Sequence, residues 1–440
     1  MTNPTGWKLA GTLPTALYAT DALTFNGYLY VAGGISAGGV NRNIQTGLSG
    51  GDTLAAAYSA GHLTLTLAGG VWATTPTVGD IFQIPYGSAV AGAANANVGS
   101  YSVTASSTTT VVGTPVLASQ APVAVTATTI TGNDVQDFSA PTTSSSILVA
   151  PIAASGTIGS FTVAGNMPAG RSFTNLIRIG TNLLALGGLD NNLNPQGQIW
   201  VWSIGGNGTL TYQASKSTGF FNPGVGAVAA TIMNNQIWIE GANNTSSGTF
   251  LQVATINSDD TIGAFKIYAG PTTSSKGLVG AQMVALPTFS TLVVHGGLDA
   301  SGATPNTYAA MSSLLVSSNN TNTLNAIVPW KTFGSTPTLL AYQGLAHLNG
   351  RNIMWVVGGT TTGANAGSVS NVVAYDLNTL NASSTLLPAP INCSALPLAL
   401  SNLSLALDNR GILLSVGGIG TTNTITNSVY VALPQGNGAF

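Results

Sequence analysis

Apolar residues along this chain come in short runs of about four to six, each interrupted by Thr, Ser, Asn, Gly or Pro. Runs of that length bounded by turn residues predict β-strands, because an amphipathic helix would need apolar positions three and four apart over ten residues or more. Six of the runs end in a pair of small residues: Tyr28–Gly34, Leu183–Gly188, Ile237–Ala242, Leu292–Gly297, Met354–Gly359 and Leu413–Gly418. Their last residues are separated by 154, 54, 55, 62 and 59 positions, so four intervals are nearly regular and the first carries about 100 extra residues.

The surroundings repeat as well. Upstream lies a second apolar run, such as Ala227–Ile232 or Gly344–Leu348, joined to the first by Asn26-Gly27, Asn234-Asn235 or Asn349-Gly350. Such pairs tolerate the positive φ angles of two-residue hairpin turns. Downstream, a third strand is predicted at Ile199–Ile204, Phe250–Ile256, Tyr308–Met311, Val372–Tyr375 and Val429–Ala432. A fourth follows a polar turn, in the segments Ala154–Phe161, Gly206–Tyr212 and Asp259–Phe265. Four antiparallel strands per repeat of about 50 residues predict a blade of a β-propeller.

Taken as a set, the runs ending in Gly33-Gly34, Gly187-Gly188, Gly296-Gly297, Gly358-Gly359 and Gly417-Gly418, with aromatic third and fourth strands, resemble the kelch repeat. The turn before the fourth strand, Ser155-Gly156-Thr157-Ile158-Gly159-Ser160-Phe161, resembles a bacterial and phage variant of it. The resemblance covers about 340 residues and implies an all-β fold, a six-bladed kelch-like β-propeller. Two departures stand out. The third copy reads Gly241-Ala242, and the charged and tryptophan positions of eukaryotic kelch repeats are mostly missing. At the C-terminus Ser428–Leu433 supplies a third strand, and at the N-terminus Trp7–Pro14 supplies a fourth. Pairing the two would close the ring and hide its edge strands.

Between Gly34 and the predicted third strand of the first blade, Ser146–Ile152, lies a domain-sized excess. Alternating segments at His62–Leu67, Asp80–Ile84, Tyr101–Ala105, Thr109–Val112 and Val123–Ile130 predict a small β-barrel or sandwich over residues 41–140, inserted into a propeller formed by 1–40 and 141–440. Val78–Pro85 and Asn97–Val103 resemble small β-modules of phage virion proteins.

Charge narrows the function classes. Only 22 of 440 residues are Asp, Glu, Lys or Arg, which is 5% where soluble domains carry about 25%. Ten basic residues without a cluster argue against nucleic-acid binding. No apolar run reaches the length of a membrane helix, and the start has no classical secretory signal. The single cysteine, Cys393, has no basic neighbour in sequence to activate it.

Catalytic chemistry is sparse. Three histidines, His62, His295 and His347, recur with no third donor and are expected to be structural, so no metal or cofactor is expected. Asp259-Asp260 reads as turn chemistry, Asp134 and Asp137 flank a loop of the insertion, and Asp190 and Asp299 follow two Gly-Gly pairs at equivalent places. Trp200, Trp202, Trp238 and Trp355 are expected in the core, while Trp7, Trp72 and Trp330 are candidate stacking groups, with Trp72 and Tyr86 the candidate surface contacts of the insertion. No catalytic residue is assigned.

The expected function is therefore non-enzymatic: a phage virion structural protein, in a tail fibre, spike or capsid surface, with the propeller as a binding and assembly platform. Its expected partners are other virion or surface-assembly proteins and a host-surface glycan or receptor, and the chain is expected to form a homo-oligomer or part of a larger assembly. The alternatives are a bacterial or archaeal cell-surface or filament protein and, third, a glycan-active propeller enzyme.

Overall fold

The computed structural model describes residues 6–36, 41–43, 53–68, 75, 78, 81–84, 97, 99–115, 122–129, 136–138, 143–190, 195–217, 219–242, 250–269, 278–287, 291–299, 310–315, 331–335, 340–361, 367–379, 388–422, 424–435 and 438–440. Among these the regular structure is antiparallel strand, with a 3-10 turn at Leu377–Thr379. No helix among them is long and apolar enough to cross a membrane.

One arrangement recurs. In the first unit Leu17–Phe25 pairs with Tyr28–Ser36, which pairs with Ser146–Pro151, which pairs with Thr162–Asn166. The same order holds for Asn175–Ile179, Asn182–Leu186, Gln196–Ile204 and Leu210–Tyr212 in the second unit. It holds for Phe220–Met233, Gln236–Ala242, Phe250–Thr255 and Lys266–Ala269 in the third. A fourth unit contains Gln282–Leu286, Thr291–His295, Ala310–Leu315 and Lys331–Ser335. A fifth contains Gly344–Leu348, Ile353–Val357, Val372–Asp376 and Ile391–Asn392. In the last, Ser404–Leu407, Leu413–Val416 and Ser428–Ala432 are completed by Lys8–Thr12 from the other end of the chain, with Leu9 opposite Tyr430.

Second strands such as Ile353–Val357 and Leu413–Val416 are buried at every position. A sheet covered on both faces leaves no polar side, which explains why these segments read as continuous apolar runs. Neighbouring units share cores: Trp355 packs with Leu403, Leu413 and Tyr430, and Trp202 with Tyr30 and Ile147.

Both residues of all five Gly-Gly pairs have positive φ. The reason is clearest at Gly417-Gly418. The Gly418 N–H donates to the Leu17 carbonyl at 3.0 Å, and a Cβ on Gly417 would collide with that same oxygen. Equivalent bonds run from Gly34 to Arg171 (2.8 Å), Gly297 to Leu340 (3.0 Å) and Gly359 to Leu400 (2.8 Å), each into the following unit. Gly241-Ala242 departs in conformation as it does in sequence. It stays in the strand, Gly241 opposite Phe250, and the preceding Glu240 makes the tie with its side chain, Oε1 accepting from the Leu278 N–H at 3.1 Å.

Some strand bounds differ from the sequence expectation. The third strand of the fourth unit runs over Ala310–Leu315, and the Asn349-Gly350 turn is a four-residue loop, because Leu348 pairs with Ile353 and Asn352 takes the positive φ of 51°. Asn26-Gly27 and Asn234-Asn235 do form two-residue turns with both φ positive.

The insertion's eight described strands, from Asn41–Asn43 to Gln136–Phe138, pair with one another in a single eight-stranded sheet. In hydrogen-bond terms this is one open sheet with Val125–Thr129 and Asn41–Asn43 at its edges, where the sequence predicted a barrel or sandwich. Its face carries a core of Leu54, Leu63, Leu65, Phe82, Tyr101 and Val111 that is separate from the others. Phe82 and Tyr101 stack at 4.9 Å beside Gly113, where a Cβ would strike the Phe82 ring and the Tyr101 Cβ. Chain enters and leaves side by side, as Ile35 bridges Thr143 and the Ser144 N–H donates to the Gly34 carbonyl at 2.8 Å.

Candidate functional site

The first strand of each unit faces a common cavity of about 170 Å³, lined from all six units by segments that include Ala19–Ala22, Phe173–Leu176, Val228, Gln282, Tyr342–Leu345 and Asn402–Leu405. Its rim is built from backbone. Ala19, Phe173, Gly280, Tyr342 and Asn402 all have positive φ, between 52° and 70°. Each stands two residues before the strand residue that pairs across to the one preceding a Gly-Gly pair. Their peptide groups form a head-to-tail belt: Val228 N–H to Phe173 carbonyl (3.3 Å), Phe173 to Ala19 (2.7 Å), Ala19 to Asn402 (3.0 Å), Asn402 to Tyr342 (2.9 Å) and Tyr342 to Gly280 (2.8 Å). Left-handed backbone at this level turns one N–H and one carbonyl sideways toward the neighbouring units, a conformation that costs non-glycine residues energy and that the belt holds in place.

Among the described residues one carboxylate lines the cavity. Asp21 Oδ2 accepts from the Leu176 N–H at 2.6 Å and Oδ1 from the Ser404 hydroxyl at 2.8 Å, so Asp21 ties the first unit to the second and to the last. Burial raises its pKa to about 6 against the opposing effect of these bonds. At the equivalent position the other units present Asn175, Ala229, Gln282, Gly344 and Ser404. The Phe173 and Tyr342 rings, from the second and fifth units and both among the lining residues, meet with centroids 6.0 Å apart and planes at 51°.

Other titratable groups are dispersed. Glu240 is fully buried with Oε2 unpartnered, and burial lifts its pKa to about 8. His295, at the equivalent position of the next unit, is also fully buried, with both ring nitrogens unpartnered and its pKa lowered by burial to about 4. Burial lowers His347 to about 4 and raises Cys393 to about 11. Arg171 is buried over the Trp200 ring, 4.7 Å from its centroid. No group of three His, Cys, Asp or Glu residues among the described residues is arranged to hold a metal.

Of the residues singled out in the sequence, Asp260 accepts from Asn182 (2.8 Å) and pairs with Lys216 (3.5 Å), and Asp259 caps Thr261. Asp190 accepts from Gln196 at 2.9 Å. Trp200, Trp202, Trp238 and Trp355 are core residues. Trp7, expected as a surface stacking group, is instead buried edge-on against Phe440 at 5.3 Å, because the first strand brings it beside the last residue of the chain. Trp72, Tyr86, Trp330 and Asp134 lie outside the described residues. Asp21 and the belt were not singled out: five rim residues of five different types leave no local signature.

No family profile and no curated protein matches the chain. Among solved structures it is similar to one described as "Structure of YjhT", with a TM-score of 0.51 and 10% identity over 97% of each chain. At that identity the likeness is one of fold, and the chain is an all-β, propeller-like protein.

Proposed function

We propose that the chain is a six-bladed kelch-like β-propeller, closed by its N- and C-terminal strands, that serves as a non-enzymatic structural protein at the surface of a phage virion. The observation that carries the propeller reading is the belt, whose bonds run through equivalent residues of successive units and cross from Asn402 near one end of the chain to Ala19 near the other. The platform reading is supported by the way residues 41–138 are attached. A separate sheet with its own core hangs from two adjacent strands of a frame tied unit to unit by backbone, which suits a rigid mount carrying a docking module. Sparse charge gives that mount weak long-range electrostatics, as fits a persistent assembly in which specific contacts set the partner.

Cryo-electron microscopy of the native particle carrying this chain tests the reading. Density on a capsid or tail, with the insertion in an intersubunit contact, is the expected result. Density along a cell-derived filament or surface lattice would replace it with the cell-surface alternative.

A further inference from the structure

We propose that the cavity inside the belt binds a neutral, polyhydroxylated molecule of monosaccharide size against the Phe173–Tyr342 pair. This goes beyond the platform reading and does not depend on where the protein is assembled.

The wall sets the chemistry. Its described polar side chains are amides and hydroxyls, among them Asn175, Gln282, Gln343, Asn402 and Ser404, with Asp21 the one carboxylate among the described residues. Among the described residues no Lys, Arg or His lines it, so an anion would meet Asp21 without a compensating cation from them. Asp21 adds capacity, because three accepted bonds, from Leu176, Ser404 and Ala22, leave room on a carboxylate that can take up to about four.

The rim sets the shape. Belt bonds use only backbone, and glycine or asparagine would adopt the required φ with less strain than an aromatic residue. Yet Phe173 (φ 53°) and Tyr342 (φ 54°) carry large rings there, and the Tyr342 ring lies over Gly280, where any Cβ would overlap it. Three positions are thus committed to bringing two aromatic rings together in the wall of a polar cavity. Strain of that kind in a cavity wall is a mark of function. The rings offer apolar faces to the C–H surface of a sugar while the wall takes its hydroxyls. A volume near 170 Å³ is comparable to the ~150 Å³ of an engineered apolar cavity that takes up benzene, the space of one six-membered ring.

The test is saturation-transfer NMR and titration calorimetry on the full chain with D-glucose, D-galactose and D-mannose. Glucuronate serves as the anionic comparison and tetramethylammonium as the cationic one. At least one neutral hexose should bind saturably, with glucuronate weaker by about tenfold or more, since 1.4 kcal/mol of repulsion is a factor of ten. Phe173→Leu should weaken hexose binding by up to about tenfold, through loss of an aromatic face. Gln282→Leu, which leaves the rim intact, should weaken it to a similar extent and decides the matter if Phe173→Leu fails to fold. Absence of saturable binding by all three hexoses would overturn the proposal. So would binding of tetramethylammonium alone, or hexose binding unchanged in a folded Gln282→Leu protein.

Discussion

The Ala19 N–H donates to the Asn402 carbonyl at 3.0 Å, joining residues 383 positions apart in the chain. Both are in the left-handed region, and each continues the belt on its other side, Ala19 accepting from Phe173 and Asn402 donating to Tyr342. The bond is therefore a seam between the two halves of the chain, reinforced by the Gly418-to-Leu17 bond and by the strand pairing of Lys8–Thr12 with Ser428–Ala432.

Removing residues 1–12 opens that seam from the outside. The Ser428–Ala432 strand keeps Leu413–Val416 but loses its outer partner, and Phe440 loses Trp7. Unpaired edges recruit other chains, so the truncated protein should melt lower and elute as concentration-dependent oligomers in size-exclusion chromatography. A monomer with unchanged melting would show that the N-terminal strand does not protect the edge.

Gly417→Ala and Gly27→Ala separate backbone strain from collision. Both glycines have positive φ, but a Cβ on Gly27 meets nothing, whereas one on Gly417 meets the Leu17 carbonyl. Gly27→Ala should cost about 1 kcal/mol of strain. Gly417→Ala should cost at least ~2 kcal/mol more in urea unfolding, because backbone must move and the adjoining seam bond with it. Equal costs would mean that the close approach contributes nothing.

Replacing residues 37–141 by Asn-Gly should leave the remaining units folded, since Ile35 and Thr143 already stand as bridge partners at the spacing a hairpin needs. A single cooperative thermal transition and a β-type circular dichroism spectrum are expected. Loss of cooperative unfolding would show that the insertion supports the frame instead of being carried by it.

Stability should fall on both sides of mildly acidic pH, for opposite reasons. Glu240 has a pKa of about 8 against an ordinary 4.5, so the native state holds a proton that the unfolded chain releases. Its contribution is complete below pH 4.5 and is lost as pH rises through 8. His295, at about 4 against 6.5, contributes fully above pH 6.5 and loses its share as pH falls through 4. Glu240→Gln keeps an acceptor for the Leu278 N–H and cannot ionise. It should flatten the alkaline limb of the melting-temperature profile, gaining on the parent at pH 9 and not at pH 5. An unchanged alkaline limb would assign the loss to other groups.

The repeat was legible because each unit carries it locally. Apolar runs mark strands buried on both faces, Asn26-Gly27 and Asn234-Asn235 mark turns, and Gly-Gly pairs mark places where a side chain would strike a neighbouring carbonyl. Even the irregular Gly241-Ala242 was visible as a departure, although not the Glu240 side chain that takes over the tie. Trp7 misled, because its burial depends on Phe440, which lies 433 positions away.

The sequence by itself determined the period, the strands and the extra 100-residue segment, since these follow from local pattern and backbone preference. Tertiary structure alone decided the cavity, the aromatic pair in its wall and the belt around it. Ala19, Phe173, Gly280, Tyr342 and Asn402 share no residue type, and their common φ is imposed by hydrogen bonds to other units. Asp21 is an ordinary aspartate in the chain. Burial in the assembled units raises its pKa, against the opposing hydrogen bonds from Leu176 and Ser404, 155 and 383 positions away.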